Sequence, residues 1–179
     1  MKLIKMYVQK SVCRLSLFFA LMFSLPAYAQ LNVVTTTGMI ADLTTNIGQQ
    51  HVTVTSLMNS GIDPHLYKAT QGDLRRLTKA DLILFNGFHL EGKMQDILKK
   101  LARKKPVFAV AEVIAPNKQI QHGLYPDPHV WFDLDLWHEV GQEITRILVK
   151  QDPINAQAYK DNAANYLTKI EQLNAWVKS

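Results

Sequence analysis

Residues 30–151 read as one α/β lobe built on a parallel sheet, and residues 152–179 as a long helix that follows it. Three observations predict this. Short β-branched runs alternate with helical patterns along the chain, which implies βαβ units with right-handed crossovers. The 150 residues from Gln30 onward suffice for one domain with a proper core. The last segment carries an unbroken apolar seam of helical spacing.

The elements follow in order. Leu31 to Thr36 is a β-branched strand, and Met39 to Ile47 an amphipathic helix. His51-Val52-Thr53-Val54-Thr55 alternates with period two and ends at Leu57, as a half-buried strand does. Thr70-Gln71-Gly72-Asp73 is a weak capping box opening a helix through Lys79. Asp81 to Phe85 is a buried-type strand stopped by Asn86-Gly87. Leu90 to Leu101 reads as helix, Pro106 to Val110 as strand and Leu136 to Val149 as helix. Finally, Asp152-Pro153 caps a segment in which Ala156, Tyr159, Ala163, Tyr166, Ile170, Leu173 and Val177 recur at steps of three and four. That seam corresponds to roughly 33 Å of helix, longer than a small lobe needs. Its distal part, Tyr166, Ile170, Leu173 and Val177, is therefore expected to be an exposed apolar stripe.

The first 29 residues read as a cleavable signal peptide. Lys2, Lys5, Lys10 and Arg14 form a basic start, Leu15 to Leu25 an apolar run, and Ala27-Tyr28-Ala29 a signal-peptidase pattern. The run is too short to span a bilayer, which takes roughly 20 residues. Cys13 precedes the apolar run and lacks the surroundings of a lipoprotein box, so no lipid anchor is expected. Removing this segment takes four positive charges from the net +5 and leaves +1. No basic stripe remains for nucleic acid. The mature chain also has no cysteine, so any metal must be held by nitrogen and oxygen.

One pentapeptide pattern occurs twice, as Asp63-Pro64-His65-Leu66-Tyr67 and Asp127-Pro128-His129-Val130-Trp131. Asp-Pro is a helix-start signal, with Asp as N-cap and Pro at the first helical position. Each His would then sit at a helix N-terminus, where the backbone dipole keeps imidazole neutral and able to bind metal. A lone exposed loop His is ordinarily a solvated residue. Two in the same local context, each after a strand of one parallel sheet, point to half of a metal site on the carboxyl edge. Asp133, four residues beyond His129, either orients that ring or caps the next helix.

These motifs, together with Gly61-Ile62 before the first, Gly72-Asp73-Leu74, the run Ala80-Asp81-Leu82-Ile83-Leu84-Phe85-Asn86-Gly87-Phe88-His89-Leu90-Glu91, and Phe132-Asp133 after the second, resemble the solute-binding proteins of zinc and manganese ABC importers. The resemblance covers essentially the whole mature chain. It implies two α/β lobes joined by a rigid spine helix, with the metal held between them. His65 and His129 would be the ligands from the N-terminal lobe, and the helix from Ile154 onward the spine. It also implies a periplasmic monomer that captures zinc or manganese as transported ligand and delivers it to an ABC permease in the inner membrane. The family's remaining ligands, a His or Glu and an Asp, come from a C-terminal lobe that this chain is expected to lack, so metal binding is expected to be weak. The long His-rich insertion of some zinc-specific members has no counterpart, since Asn117 to Tyr125 contains only His122.

The other histidines get plainer readings: His51 at the surface before a strand, His89 near the pocket edge, His138 half-buried in helix packing. Tyr67 and Trp131 are expected to wall the site, and Glu91 to take no ligand role. A periplasmic metal-dependent hydrolase is the alternative, yet no His-Glu-x-x-His helix or Gly-x-Ser-x-Gly turn is present. No repeats or low-complexity segments support an adhesin. N-terminal sequencing of exported protein is expected to begin at Gln30. A product retaining Met1 and the apolar run would contradict the signal assignment.

Overall fold

A computed structural model describes residues 29–179, so the leader assigned to Met1 to Ala29 lies, but for Ala29, outside the described residues. The elements are β1 (Leu31–Thr37), α1 (Gly38–Gly48), β2 (Val52–Met58), α2 (Gln71–Lys79), β3 (Leu82–Phe85), α3 (Gln95–Ala102), β4 (Val107–Ala109), a short hairpin of β5 (Gln121–His122) and β6 (Tyr125–Pro126), α4 (Leu134–Gln151) and α5 (Ala156–Val177). The main sheet has the order β2-β1-β3-β4. All three of its pairings are parallel, with Val33 opposite both Val54 and Leu82. The α/β parallel-sheet class expected from the sequence is what folds.

Period-two alternation divides the core. Val33 of β1 and Leu82 and Leu84 of β3 face a layer of α1, α4 and α5. Val34 and Ile83 face the other way, onto α2 and α3. β1 is central and covered on both faces, so its residues from Val33 to Thr37 are all buried. Three buried threonines end the strand; Thr36 donates to the carboxylate of Glu91 at 2.8 Å.

Boundaries depart from expectation where side chains intervene. The helix expected from Leu90 begins only at Gln95, after a 3-10 turn at Gly92–Met94. Ahead of it Phe88 and His89 adopt positive φ, because the Glu91 carboxylate folds back onto the N–H groups of Asn86 and Gly87. At α2 the capping box is complete, with the side chains and backbones of Thr70 and Asp73 bonded reciprocally. Asp73 is buried there and also accepts from Tyr67 and Arg76. Burial alone would raise its carboxyl, but the donors Thr70, Tyr67 and Arg76 outweigh it and hold the group below the usual range.

The stripe expected on α5 is shorter than the seam suggested. Tyr159, Ala163, Leu167 and Ile170 are buried in the core with α1 and α4. Tyr166 is half-buried and donates its hydroxyl to Asp42 of α1. Burial and that carboxylate push the Tyr166 hydroxyl up to about 12. Exposure starts only at Leu173, at 47%, and continues through Trp176 and Val177. The physical reason is that α5 packs on both α1 and α4, which keep Leu167 and Ile170 in the core. Ile170→Ala should therefore cost about 2 kcal/mol or more by urea unfolding, whereas Val177→Ala should change stability by less than about 0.5 kcal/mol. Equal effects would contradict this packing boundary.

Candidate metal centre

Both Asp-Pro-His segments lie in loops beyond carboxyl ends of the parallel strands, His65 between β2 and α2 and His129 between β4 and α4. Neither starts an α-helix. Instead, each Asp side chain accepts the N–H two residues on: Asp63 Oδ1 from His65 at 2.8 Å and Asp127 Oδ1 from His129 at 2.9 Å. These are Asx-turns. The expected helix N-termini are replaced by side-chain-closed turns, with only a three-residue 3-10 turn after His129. Helix-dipole control of the imidazoles therefore does not apply.

The turns bring the rings together. His65 Nε2 and His129 Nε2 lie 3.3 Å apart, with ring centroids at 5.3 Å and planes tilted by 55°. Two nitrogens bound to a tetrahedral ion at about 2.0–2.1 Å are themselves separated by about 3.3–3.4 Å. The pair thus already spans one edge of a tetrahedral coordination shell.

Asp127 also sets the tautomer of His129. Its Oδ1 lies 2.6 Å from Nδ1 of that ring. An ionised carboxylate only accepts, so Nδ1 carries the proton and Nε2 presents its lone pair. With His129 neutral in that tautomer, the 3.3 Å contact is a hydrogen bond when His65 carries its proton on Nε2. A metal entering between the rings would take the place of that shared proton. Asp133, which the sequence allows as orienter of His129 or as helix cap, is the N-cap of α4, accepting from Asp135 and Leu136. Asp127 does the orienting, and the Asp two residues before a His in a repeated motif was the available signal for it.

The surroundings are mixed. Trp131 sets its ring edge to His129 at a centroid distance of 5.3 Å, walling one side. Tyr67 does not reach over the site through its hydroxyl, which is tied to Asp73 at 2.7 Å. The His129 side chain keeps 40% of its exposure, so the pair is open to solvent. A cleft of about 720 Å³ runs alongside, past Ile62, Pro64 and Trp131 to Tyr166 and Leu173. Among the described residues no third His, Cys, Asp or Glu joins the two imidazoles. His89 lies against Tyr125 at 3.8 Å. His138 is half-buried and meets Glu171 of α5 at 3.1 Å. His51 is half-buried against the edge of Tyr159, not a free surface residue.

The chain belongs to the family described as zinc-uptake complex component A, periplasmic (ZnuA), which matches residues 33–179. It is 48% identical over 149 residues to the manganese-binding lipoprotein MntA of Bacillus subtilis (strain 168), covering 82% of this chain and 49% of that protein. It is 33% identical over 189 residues to the metal ABC transporter substrate-binding lipoprotein FimA of Streptococcus parasanguinis, covering 96% of this chain and 61% of that one. The solved periplasmic zinc binding protein TroA from Treponema pallidum superposes with a TM-score of 0.81 at 41% identity, covering 83% of this chain and 54% of that one. The chain spans about half the length of MntA. These relatives are transporter or metal-binding proteins by name, and the hydrolase alternative finds no support among them.

The tautomer assignment has a direct readout. In ¹⁵N spectra of the metal-free chain at neutral pH, His129 should show a protonated Nδ1 and an unprotonated Nε2. Asp127→Ala should raise the Nε2–H share of that ring. An unchanged tautomer in the variant would contradict the role given to Asp127.

Proposed function

We propose that this chain captures a divalent transition-metal ion, zinc or manganese, in the periplasm and presents it to the inner-membrane permease of an ABC importer. His65 and His129 are the ligands in this reading, each binding through Nε2. The carrying observation is the 3.3 Å separation of those nitrogens, the span of one tetrahedral edge. Neutral imidazole suits both zinc and other first-row ions, so the two nitrogens alone do not choose the metal. The relatives divide in the same way, one named for manganese and one for zinc.

Residues 30–151 act as the lobe that offers the two imidazoles, and residues 152–179 as the helix linking it to what completes the site. Two nitrogens fill half of a four-coordinate shell. The remaining positions fall to donors other than the described His, Cys, Asp and Glu side chains. Transport fits this pair better than hydrolysis, for a hydrolytic metal needs a general base free to act on its water. Asp127 is engaged in orienting His129. The leader read at Met1 to Ala29 and the family description support a periplasmic site of action.

Calorimetric titration with zinc and with manganese tests the assignment. His65→Ala and His129→Ala should each weaken binding at least about a hundredfold, exceeding the effect of losing an outer partner. In the unaltered chain, zinc should leave both rings protonated at Nδ1 alone in ¹⁵N spectra, since the metal takes Nε2 of each and a proton held at His65 Nε2 moves to Nδ1. Unchanged affinity in either variant would overturn the ligand assignment.

A further inference from the structure

The turn between β3 and α3 touches both imidazole-bearing loops. Asn86, buried at its start, donates through Nδ2 to the carbonyls of Pro128 at 3.0 Å and Gly87 at 3.2 Å. The peptide joining Pro128 to His129 is thereby held at both ends, because its N–H donates to Asp127. At the other end of the turn, Gly92 adopts φ +41° against the backbone of His65. A Cβ at Gly92 would come within 2.5 Å of the His65 carbonyl oxygen. Only glycine permits that approach.

The turn between these contacts is unusual in itself. Gly87, Phe88, His89 and Gly92 all have positive φ, which is uncommon for the two non-glycine residues. Glu91 keeps it in place. Its carboxylate is fully buried and accepts from Asn86 N–H at 2.6 Å, the Thr36 hydroxyl at 2.8 Å and Gly87 N–H at 3.2 Å. Thr36 lies at the end of the central strand, so the turn is referenced to the most buried part of the sheet. Burial pushes the Glu91 carboxyl above its usual range, against those hydrogen bonds.

The geometry points to Asn86, Glu91 and Gly92 as one brace that sets the separation of His65 and His129, so that metal affinity depends on buried residues offering the ion no ligand. The inference rests on the reading of the two histidines as ligands. Asn86 and Glu91 are positioning residues. Asn86 spends its amide on the Gly87 and Pro128 carbonyls, and the Glu91 oxygens are occupied by the turn they hold.

Glu91→Gln tests this with shape preserved. The amide places an N–H₂ where a backbone N–H must be accepted, which loosens the turn. Zinc titration of the full chain should show Kd weakened by about tenfold to a hundredfold, the range for removing a partner that orients ligands. In the metal-free protein the ¹⁵N imidazole resonances of both His65 and His129 should shift. Asn86→Asp should act alike, since a carboxylate cannot donate to the Pro128 carbonyl. Leu98→Ala, a core truncation in the α2–α3 layer, is the control: it lowers stability and should leave the affinity and both resonances in place. If Glu91→Gln and Asn86→Asp keep Kd within about twofold and both resonances unmoved, the brace does not exist, while loss of binding in His65→Ala and His129→Ala would leave the ligand reading standing. If instead those two variants bind zinc like the unaltered chain, the ligand reading falls, and the metal-free resonances alone decide whether the brace aligns the rings.

Discussion

Every strand of the main sheet runs in the same direction, and each loop following a strand therefore opens on one edge. That constraint is what lets residues 64 positions apart in the chain place their Nε2 atoms at 3.3 Å. Parallel pairing also demands cover on both faces, which explains why the apolar content is divided between two layers. The helices serve the edge as well. α2 anchors Tyr67 through Asp73, and α4 starts at Asp133 directly after the second motif. Sheet direction decides where a site can be, and the helices decide how firmly its loops are held.

Holding two imidazoles this close without a metal has an electrostatic cost if both present lone pairs or both are charged. The arrangement avoids it by leaving one proton between the rings. Asp127 favours the Nδ1–H tautomer of a neutral His129, and the Nε2–H tautomer of His65 would supply the complementary donor. A preorganised pair of this kind needs little rearrangement when an ion arrives, so less of the binding energy is spent on ordering side chains. The His129 side chain keeps 40% of its exposure, so the approach to the pair is open where a closed structural metal site would be enclosed.

Glu91 illustrates how a polar group can be both costly and necessary in a core. A buried carboxylate is tolerable only when donors replace water, and here two backbone N–H groups and a threonine hydroxyl do so. In exchange it stabilises a backbone path that Phe88 and His89 would not adopt alone. The same turn meets the Pro128 carbonyl and the His65 carbonyl, so a local electrostatic solution extends to the two loops of the site.

Alternation of β-branched runs with amphipathic segments was enough to read the parallel α/β class, because hydrophobic periodicity is a local property of the chain. The repeated Asp-Pro-His motif likewise singled out, from six histidines, the two whose rings the fold brings together. What the motif could not convey was the form of its turns. Asp-Pro is compatible with a helix cap and with an Asx-turn, and the choice fell to whether the following residues had a surface to pack on as helix. The orienting role passed to Asp127 instead of Asp133 for the same reason, since ring direction depends on the turn and not on helical spacing. The reach of burial along α5 to Ile170, and the contacts of Asn86, Glu91 and Gly92 with both loops, depend on elements distant in the chain. Only tertiary packing could decide them, because each is a contact between surfaces that no single segment possesses.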